Sequence, residues 1–257
     1  MTKFQKLLEK KKREIIAQGR KEKSQTTTKT LSGDELKKML YQEMIIKANI
    51  PHRYSNKNFA NYKVCAENKQ SHAKVLEYLK KYDDVDQNGS WLVMMGDYGT
   101  GKTHLSIALL KNICSLYAIK TADEYSDFPL SIIRGKANMQ PVLFVKGPEL
   151  LEEIKSAYEY DDVLESDVLI KYKYKRFLVV DDLGTEKPSK WMREKLYSIL
   201  DFRYSNLRPT VITTNCDFDT LVKNVGQRVV DRIQEAATNY MTGWQGDSYR
   251  INGKKDS

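Results

Sequence analysis

The sequence has few of the residues that build disulfide frameworks and metal sites. Its 257 residues include only three cysteines, Cys65, Cys114 and Cys216, which lie far apart and form no CxxC pair. The three histidines are equally scattered and form neither an HExxH motif nor a pair at ligand spacing. Disulfide scaffolds and zinc sites depend on such spacings. The sequence therefore excludes a disulfide framework and argues against a metal held by protein side chains alone.

Long apolar runs are also missing. No stretch approaches the ~18 consecutive apolar residues that a membrane-spanning helix needs, and the first residues lack the apolar core of a signal peptide. Charged residues make up 30% of the chain, above the typical value of about 25%. These features predict a cytoplasmic protein with no segment that spans a membrane.

Positive charge is concentrated in the first 30 residues. They contain ten Lys and Arg and three Glu, which accounts for +7 of the total charge of +9. The apolar residues of this region recur at helical spacing, as Phe4, Leu7, Leu8, Ile15 and Ile16. This pattern predicts an amphipathic helix with a cationic face. An acidic protein groove, nucleic acid phosphate and an anionic membrane surface stay open as its partner, and so does a solvated arm with no specific partner.

A second helix and a large α/β domain are predicted to follow. Ser32 and Glu35 have capping-box spacing, and an apolar helical face continues up to Pro51. Beyond Pro51, strand and helix patterns alternate, which is typical of a mainly parallel sheet. The expected domain boundaries are 1–48 for a helical N-terminal module (basic arm 1–23, linker 24–31) and 49–257 for the α/β domain. The expected strands are 91–95, 142–146, 176–180 and 210–214, the expected helices 68–81, 102–117, 148–159 and 189–206, and the expected surface insertion is 118–140.

The strongest motif is a phosphate-binding loop. A complete GxxxxGK[ST] pattern follows an apolar strand and opens a helix, which is the context that this motif requires. The backbone N–H groups of such a loop point at phosphates, Lys102 is expected to reach the β- and γ-phosphates of ATP, and the Thr103 hydroxyl to bind Mg²⁺. The residues expected to bind nucleotide are Gly96, Asp97, Tyr98, Gly99, Thr100, Gly101, Lys102, Thr103 and His104.

Two acids end a later apolar strand, as a Walker B motif does. Asp181 is the expected Mg²⁺ ligand, and Asp182 stands where a carboxylate can orient or activate the attacking water. Asn215 ends the next apolar strand and is the candidate for sensing the γ-phosphate or the water. The alternative for the acids is a solvated pair at the end of a strand.

Together, the segments GDYGTGKTH, LVVDDLGTE, RPTVITTN, GQRVVDRIQ and DSYR resemble those of the DnaC-type replicative helicase loaders, a family of AAA+ ATPases related to DnaI and IstB. The likeness runs from about Ile50 to Arg250. It implies a central parallel five-stranded sheet, with the P-loop strand central and flanked by the strand before Asn215. It also implies that nucleotide binds between neighbouring subunits, so that the protein assembles with itself through ATP.

The resemblance also implies roles for arginines and for DNA-binding side chains. Arg232 matches the arginine of box VII, which reaches the γ-phosphate of a neighbouring subunit, and Arg228 is its competitor one turn earlier. Arg250 matches a second sensor arginine. The expected contacts to single-stranded DNA are Tyr158, Ser189, Lys190 and Trp191. The arginines are alternatively a solvated helix face paired with nearby acids, and the aromatic residues are alternatively part of the core.

The function implied is that of an ATPase, with low intrinsic turnover, that binds a hexameric DnaB-type replicative helicase through residues 1–48 and places it on single-stranded DNA. An alternative is an IS21-type transposition helper, which assembles on duplex DNA and recruits a transposase. A third possibility is a binding module in which the P-loop holds nucleotide for structure only. The pair Asp181 and Asp182 argues against this third class.

Overall fold

The computed structural model describes residues 31–130, 132–133, 141–159 and 164–244. The predicted basic arm, most of the predicted linker, and Arg250 lie outside the described residues. The chain divides into two compact units, and helices α1 and α4 contribute to both. In the described part of the chain, the smaller unit consists of residues 31–44, 115–130 and 132–133, and the larger unit of residues 45–114, 141–159 and 164–244. The boundary expected near residue 48 stays a prediction.

Helix α1, Gly33–Lys47, begins at the capping box that the sequence predicts. Ser32 N donates to Glu35 Oε2 at 2.9 Å, and Glu35 N donates to Ser32 Oγ at 3.3 Å. These reciprocal bonds satisfy two N–H groups that have no partner within the helix. The buried side chains of α1 are spaced four residues apart, at Leu36, Leu40 and Met44. They therefore share one face of the helix.

Five parallel strands of the described residues form one sheet, in the order β2-β3-β4-β1-β5. The four strands expected from the sequence are present within one residue of their predicted bounds, and the α/β class with a five-stranded parallel sheet is confirmed. The middle strand is β4, so the P-loop strand β1 lies one position away from the centre. The strands are β1 Leu92–Gly96, β2 Val142–Lys146, β3 Phe177–Asp181, β4 Thr210–Thr214 and β5 Met241–Trp244.

The remaining helices connect and cover these strands. Those expected near 68–81, 148–159 and 189–206 are present, and several shorter helices lie between them. After α1, the helical elements are a 3₁₀ turn His52–Tyr54, α2 Lys69–Lys80, α3 Tyr82–Asn88, α4 Lys102–Tyr125, α5 Gly147–Glu159, α6 Glu165–Lys173, α7 Lys190–Ser205, α8 Phe218–Val225 and α9 Gln227–Ala236.

Helix α4 corrects the sequence prediction, which ended it near residue 117. It continues to Tyr125, because neither Gly nor Pro interrupts the chain before Pro129 and because Ala118 and Ala122 continue a buried face. The first part of the expected insertion 118–140 is therefore helical. Among the described helices, α4 alone is long and apolar enough to cross a membrane. Core helices of other proteins meet the same criterion, and 56% of the most apolar part of α4 is buried inside the protein.

The outer side of β2 is closed by the residues that follow α1. Phe144 N donates to the carbonyl of Ala48 at 2.8 Å, and the Asn49 side-chain amide donates to the Phe144 carbonyl at 3.4 Å. Unpaired groups on an edge strand invite pairing with other chains. Satisfying the middle of β2 in this way limits that risk.

Every residue of β3 and β4 is buried, as expected for strands of a parallel sheet that is covered on both faces. Because the strands are parallel, their carboxyl ends share one edge of the sheet. Asp181 ends β3, and Asn215 follows β4 at this edge. The P-loop follows β1 at the same edge, so the fold itself gathers the residues of the predicted site.

Candidate functional site

The P-loop connects β1 to α4 in a tight curve that requires glycine at both ends. Gly96 has φ +130°, and a Cβ placed on it would lie 1.9 Å from the Trp244 carbonyl oxygen. Gly101 has φ +94°, and a Cβ there would lie 2.6 Å from the Tyr62 ring. Larger residues would be strained at these φ values and would collide with their neighbours. The loop therefore keeps its shape only with the glycines of the motif.

The side chain of Lys102 folds back over the P-loop. Its Nζ donates to the carbonyls of Gly96 at 2.7 Å and Asp97 at 2.6 Å, and lies 3.4 Å from Thr100 Oγ1. Lys102 is 5% exposed. The ammonium group is thus held by carbonyl oxygens of the same loop whose N–H groups would surround phosphate.

Three aromatic side chains pack beside the P-loop, and sequence reasoning missed two of them, Tyr62 and His72. The Tyr62 hydroxyl donates to the Thr100 carbonyl at 3.1 Å. Its ring stacks on His72 with centroids 5.4 Å apart, and His104 meets it edge-on at 5.3 Å. Tyr62 and His72 lie far from the P-loop in sequence, and no spacing pattern links them to it.

His104 was expected to belong to the nucleotide site. Its Nε2 lies 2.8 Å from the Asn58 carbonyl oxygen and 2.9 Å from Asn61 Oδ1. Because both neighbours are acceptors, Nε2 carries the proton. The ring thus ties the start of α4 to residues 58–62, and its part in binding nucleotide stays a prediction.

The structure brings Thr103 and Asp181 together. Thr103 Oγ1 lies 2.9 and 3.0 Å from the two carboxylate oxygens of Asp181. Thr213 Oγ1 donates to Asp181 Oδ1 at 2.7 Å. Burial raises the pKa of Asp181, and the hydrogen bonds from Thr213 and Thr103 oppose that shift. A hydroxyl and a carboxylate therefore meet in a buried place where charge on the carboxylate is costly without a cation.

Asp182 and Asn215 also meet, at the ends of neighbouring strands. The Asn215 amide donates to Asp182 Oδ1. Asp182 N donates to Thr213 Oγ1 at 2.9 Å, so one threonine hydroxyl contacts both acids of the motif. Asp182 has φ +59°, a left-handed conformation that Asp and Asn tolerate better than most residues. The sequence prediction gave Thr213 no role of its own. Its polar side chain, in a strand expected to lie beside the Walker B strand, could have indicated a contact with the acids.

The two candidate arginines of α9 both pack on α7. Arg232 Nε donates to Asp201 Oδ1 at 2.8 Å, and its NH1 lies 3.5 Å from Glu235 Oε2. The guanidinium of Arg228 lies 3.7 Å from the centroid of the Tyr197 ring. Pairing of Arg232 with Glu235 is part of the solvated-face alternative, whereas the contact with Asp201 was not expected. Their catalytic roles, and that of Arg250 outside the described residues, stay predictions.

The expected DNA-binding aromatic residues form a pair. The rings of Tyr158 and Trp191 have centroids 4.8 Å apart, and Tyr158 is 72% exposed. Lys195 Nζ lies 5.4 Å from the Trp191 ring, and Lys190 is exposed. Ser189 caps α7, because its Oγ accepts from Met192 N at 3.3 Å. Tyr158 is therefore not a core residue, whereas Trp191 is partly buried against the core.

Known proteins are similar to this chain both in sequence and in fold. The replicative helicase loader DnaC of Escherichia coli K12 is 25% identical over 223 residues, which cover 86% of this chain and 81% of the relative. A crystal structure of the DnaC helicase loader matches with a TM-score of 0.58 and 25% identity, over 76% of this chain and 100% of that one. The predicted resemblance to the DnaC-type helicase loaders is confirmed. No protein-family model matches the chain.

A second solved structure extends the likeness of the fold beyond the helicase loaders. The replication initiator DnaA, bound to AMPPCP and single-stranded DNA, matches with a TM-score of 0.57 and 16% identity, over 78% of this chain and 54% of that one. At this identity the match concerns the fold alone. The chain therefore has the AAA+ fold of the DnaC-type loaders and of this initiator.

Proposed function

We propose that this protein is an ATP-dependent loader of a hexameric DnaB-type replicative helicase, which it places on single-stranded DNA during replication initiation in the cytoplasm. The observation that carries the proposal is the similarity to a replicative helicase loader over 86% of the chain. The geometry of the P-loop, the Walker B acids and Asn215 supports ATP as the ligand that controls loading.

Thr103 and Asp181 fit a magnesium ion. Mg²⁺ prefers oxygen ligands, and here a hydroxyl and a buried carboxylate lie within 3.0 Å of each other. The ion would neutralise charge on the β- and γ-phosphates of ATP. Lys102 and the backbone N–H groups of the loop would hold the phosphates, and Thr213 would keep the Asp181 carboxylate in place.

Asp182 and Asn215 are assigned to the attacking water. The Asn215 amide fixes Asp182 Oδ1, and we assign the other carboxylate oxygen to orient the water and accept its proton. The Asp182 side chain is one methylene shorter than the Glu common in related ATPases. Slow hydrolysis is consistent with a nucleotide that acts as a switch.

Arg232 is assigned as the arginine that reaches the γ-phosphate of a neighbouring protomer. Its side chain is 33% exposed, so part of the guanidinium is available for a partner. A finger supplied by another subunit makes hydrolysis depend on assembly. Arg250 is assigned to the same nucleotide as a sensor.

A mixing experiment tests this arrangement. Arg232→Ala keeps the P-loop lysine but lacks the finger, whereas Lys102→Ala keeps the finger but lacks the P-loop lysine. Each variant alone should lose ATPase activity, and mixing them should restore part of it, because adjacent protomers then complete one site. Arg228→Ala is the matched control and should hydrolyse ATP alone. If Arg228→Ala is inactive and Arg232→Ala is active, the finger is Arg228.

The Tyr158–Trp191 pair is assigned to single-stranded DNA. Bases stack on exposed aromatic rings while nearby lysines contact phosphate, without preference for sequence. Lys190 would supply the phosphate contact, and Ser189 would fix the start of α7. Trp191→Ala should weaken binding to an oligo-dT strand about fivefold or more, and an unchanged affinity would reject the assignment.

Residues 1–48 are assigned to the helicase, through the basic amphipathic arm. Light scattering on a mixture of this protein with the replicative helicase of its host, in ATP and Mg²⁺, measures the complex directly. Removal of residues 1–30 should abolish the complex while leaving ATP binding unchanged. The same truncation would leave the complex intact if the arm served DNA or a membrane instead.

The outcomes also separate the other function classes. The comparisons do not favour a transposition helper, and it would be supported only if the full chain bound no helicase but assembled on duplex DNA. Full nucleotide affinity and full loading in Lys102→Ala would reject the P-loop as the nucleotide site. A structural role for nucleotide would be supported by bound ATP that is not turned over even with helicase and single-stranded DNA. Turnover stimulated by single-stranded DNA would reject that role.

A further inference from the structure

A basic and aromatic surface lies at the amino-terminal edge of the sheet, opposite the nucleotide site. It is formed where the chain leaves α6 for β3 and where it leaves α7 for β4. The surface, here termed the amino-edge patch, consists of Lys173, Tyr174, Lys175, Phe202, Leu207 and Arg208. Strand β3 spans about 13 Å between the two edges. The patch is therefore distinct from the P-loop and from the Walker B acids.

Positive charge and aromatic rings are interleaved in this patch. The Arg208 guanidinium lies 5.5 Å from the centroid of the Tyr174 ring, and its NH1 donates to the Tyr174 carbonyl at 2.8 Å. Lys173 Nζ lies 5.7 Å from the Phe202 ring centroid and donates to Ser198 Oγ at 2.8 Å. Cations thus lie beside two rings that themselves meet at 4.9 Å.

Three of the six patch residues are basic and none is acidic, which favours a negatively charged ligand. The pKa of Lys175 is lowered to about 8, mainly by its burial, with smaller contributions from Lys171 and Lys47 outside the patch. A bound phosphate would favour the charged form of Lys175.

Two side chains of the patch are exposed although they are largely apolar. Tyr174 is 55% exposed and Leu207 is 50% exposed. Leu207 has φ +49°, and a Cβ on Gly89 would lie 2.3 Å from the Leu207 Cα. Leu207 adopts this φ because it follows α7 in a Schellman motif, in which Leu207 N donates to the Tyr204 carbonyl at 3.2 Å and Arg208 N donates to the Arg203 carbonyl at 2.9 Å. This cap and the contact with Gly89 together fix the position of Leu207 in the patch.

Arg203 makes the backbone beneath the patch rigid. It is 0% exposed, and its guanidinium donates to the carbonyls of Tyr172 at 3.0 Å, Lys175 at 2.7 Å and Pro209 at 2.7 Å. Its Nε also donates to Thr210 Oγ1 at 2.8 Å. One buried cation thus joins both segments of the patch, so that its outward side chains are positioned before any ligand arrives.

We propose that the amino-edge patch binds single-stranded nucleic acid, at a site separate from the Tyr158–Trp191 pair. Lys173, Lys175 and Arg208 supply cations for phosphates, and the exposed Tyr174 ring supplies a surface on which a base stacks. A duplex would present its phosphates to the cations but no free base to the ring. The patch is therefore matched to a single strand, and an acidic peptide would leave the ring without a role.

The test uses the full-length protein and a fluorescent oligo-dT strand, with binding measured by anisotropy at several salt concentrations. All variants carry Tyr158→Ala and Trp191→Ala, which together remove the other aromatic pair. In this background, Lys173→Gln with Lys175→Gln should reduce the slope of log affinity against log salt by about 1.4, because two phosphate contacts to a single strand are lost. Tyr174→Ala should weaken binding about fivefold or more.

A matched control has the same change in net charge elsewhere. Lys69→Gln with Lys80→Gln, on exposed positions of α2, should leave the salt slope nearly unchanged. Thermal melting of each variant checks the fold, and ultraviolet cross-linking should attach thymine to the peptide that contains Tyr174. Equal losses in the patch and control variants would overturn the proposal. An unchanged salt slope in the patch variant would also overturn the proposal. Binding of an acidic peptide by the patch would not rescue it.

Discussion

The two edges of the sheet use polar side chains in different ways. At the carboxyl edge, Thr103, Asp181, Asp182 and Asn215 bond largely to one another, through oxygens and amides that a ligand can also engage. At the amino edge, Arg203 bonds to backbone carbonyls from two segments of the chain. The first network can exchange its partners for nucleotide, whereas the second holds the fold together. Substitutions at the two edges should therefore affect different properties.

The largest expected effect is on catalysis at the carboxyl edge. Asp182→Asn removes the group assigned to accept the proton, and we expect ATP hydrolysis in the presence of helicase and single-stranded DNA to fall about 10²- to 10⁴-fold. Stability should stay nearly constant, because Asn tolerates the left-handed backbone of Asp182 at least as well. Phosphate release and thermal melting measure the two properties separately.

Asp182→Glu is the matched control for this change. It keeps a carboxylate at this position and introduces Glu, the residue that is common there in related ATPases. It should therefore keep hydrolysis and nucleotide affinity. A wild-type rate in Asp182→Asn would show that this carboxylate does not activate the water.

At the amino edge the expected effect is on stability. Arg203→Met leaves the carbonyls of Tyr172, Lys175 and Pro209 without this donor, and at about 1 kcal/mol or more for each unsatisfied buried acceptor the total cost is about 3 kcal/mol or more. The free energy of unfolding, measured in urea, should fall by this amount. The ATPase rate per folded molecule should change little, because the hydrogen bonds of Arg203 to Tyr172, Lys175, Pro209 and Thr210 lie at the edge of the sheet opposite the nucleotide site.

Arg193→Met provides the comparison for Arg203, since both arginines lie on α7. Arg193 is partly exposed, and its Nε donates to the Pro188 carbonyl at 3.2 Å. Its loss should cost only about 1 kcal/mol. Equal losses in the two variants would contradict the structural role of Arg203.

The contrast between the edges also explains what the sequence could predict. The carboxyl edge follows from motifs, because Lys102, Asp181 and Asn215 each end a strand or follow one at a fixed spacing. The amino edge has no motif: Arg203 lies within an ordinary helical pattern, and its partners become neighbours only when the sheet forms. Strand β5 was not located because four residues that include Gly243 give little signal of a strand.

Thr213 links the two Walker B acids and gives a smaller expected effect. Thr213→Val removes the donor to Asp181 and the acceptor for Asp182 N. We expect a loss of about 1–3 kcal/mol in stability and weaker binding of ATP with Mg²⁺, measured by titration with a fluorescent nucleotide. The pKa of Asp181 should rise further, because a hydrogen bond to its charged form is lost.

Thr242→Val is a suitable control for Thr213→Val. Thr242 is also buried on a strand, in β5, and its replacement should leave nucleotide affinity unchanged. If both variants bind ATP with Mg²⁺ equally well, Thr213 does not position the acids.

The smallest expected effect concerns His72 and His104 beside the P-loop. Burial lowers the pKa of both below the usual value of about 6.5. As pH falls below about 6.5, these histidines bind protons in the unfolded chain before they do so in the folded protein. The free energy of unfolding present at neutral pH should therefore decline. The slope is at most about 1.4 kcal/mol per pH unit for each histidine and smaller here, because both rings are partly exposed. Urea unfolding between pH 7.5 and 5.5 measures it. His72→Phe with His104→Gln should flatten the profile, and an equally steep profile in that variant would assign the decline to other groups.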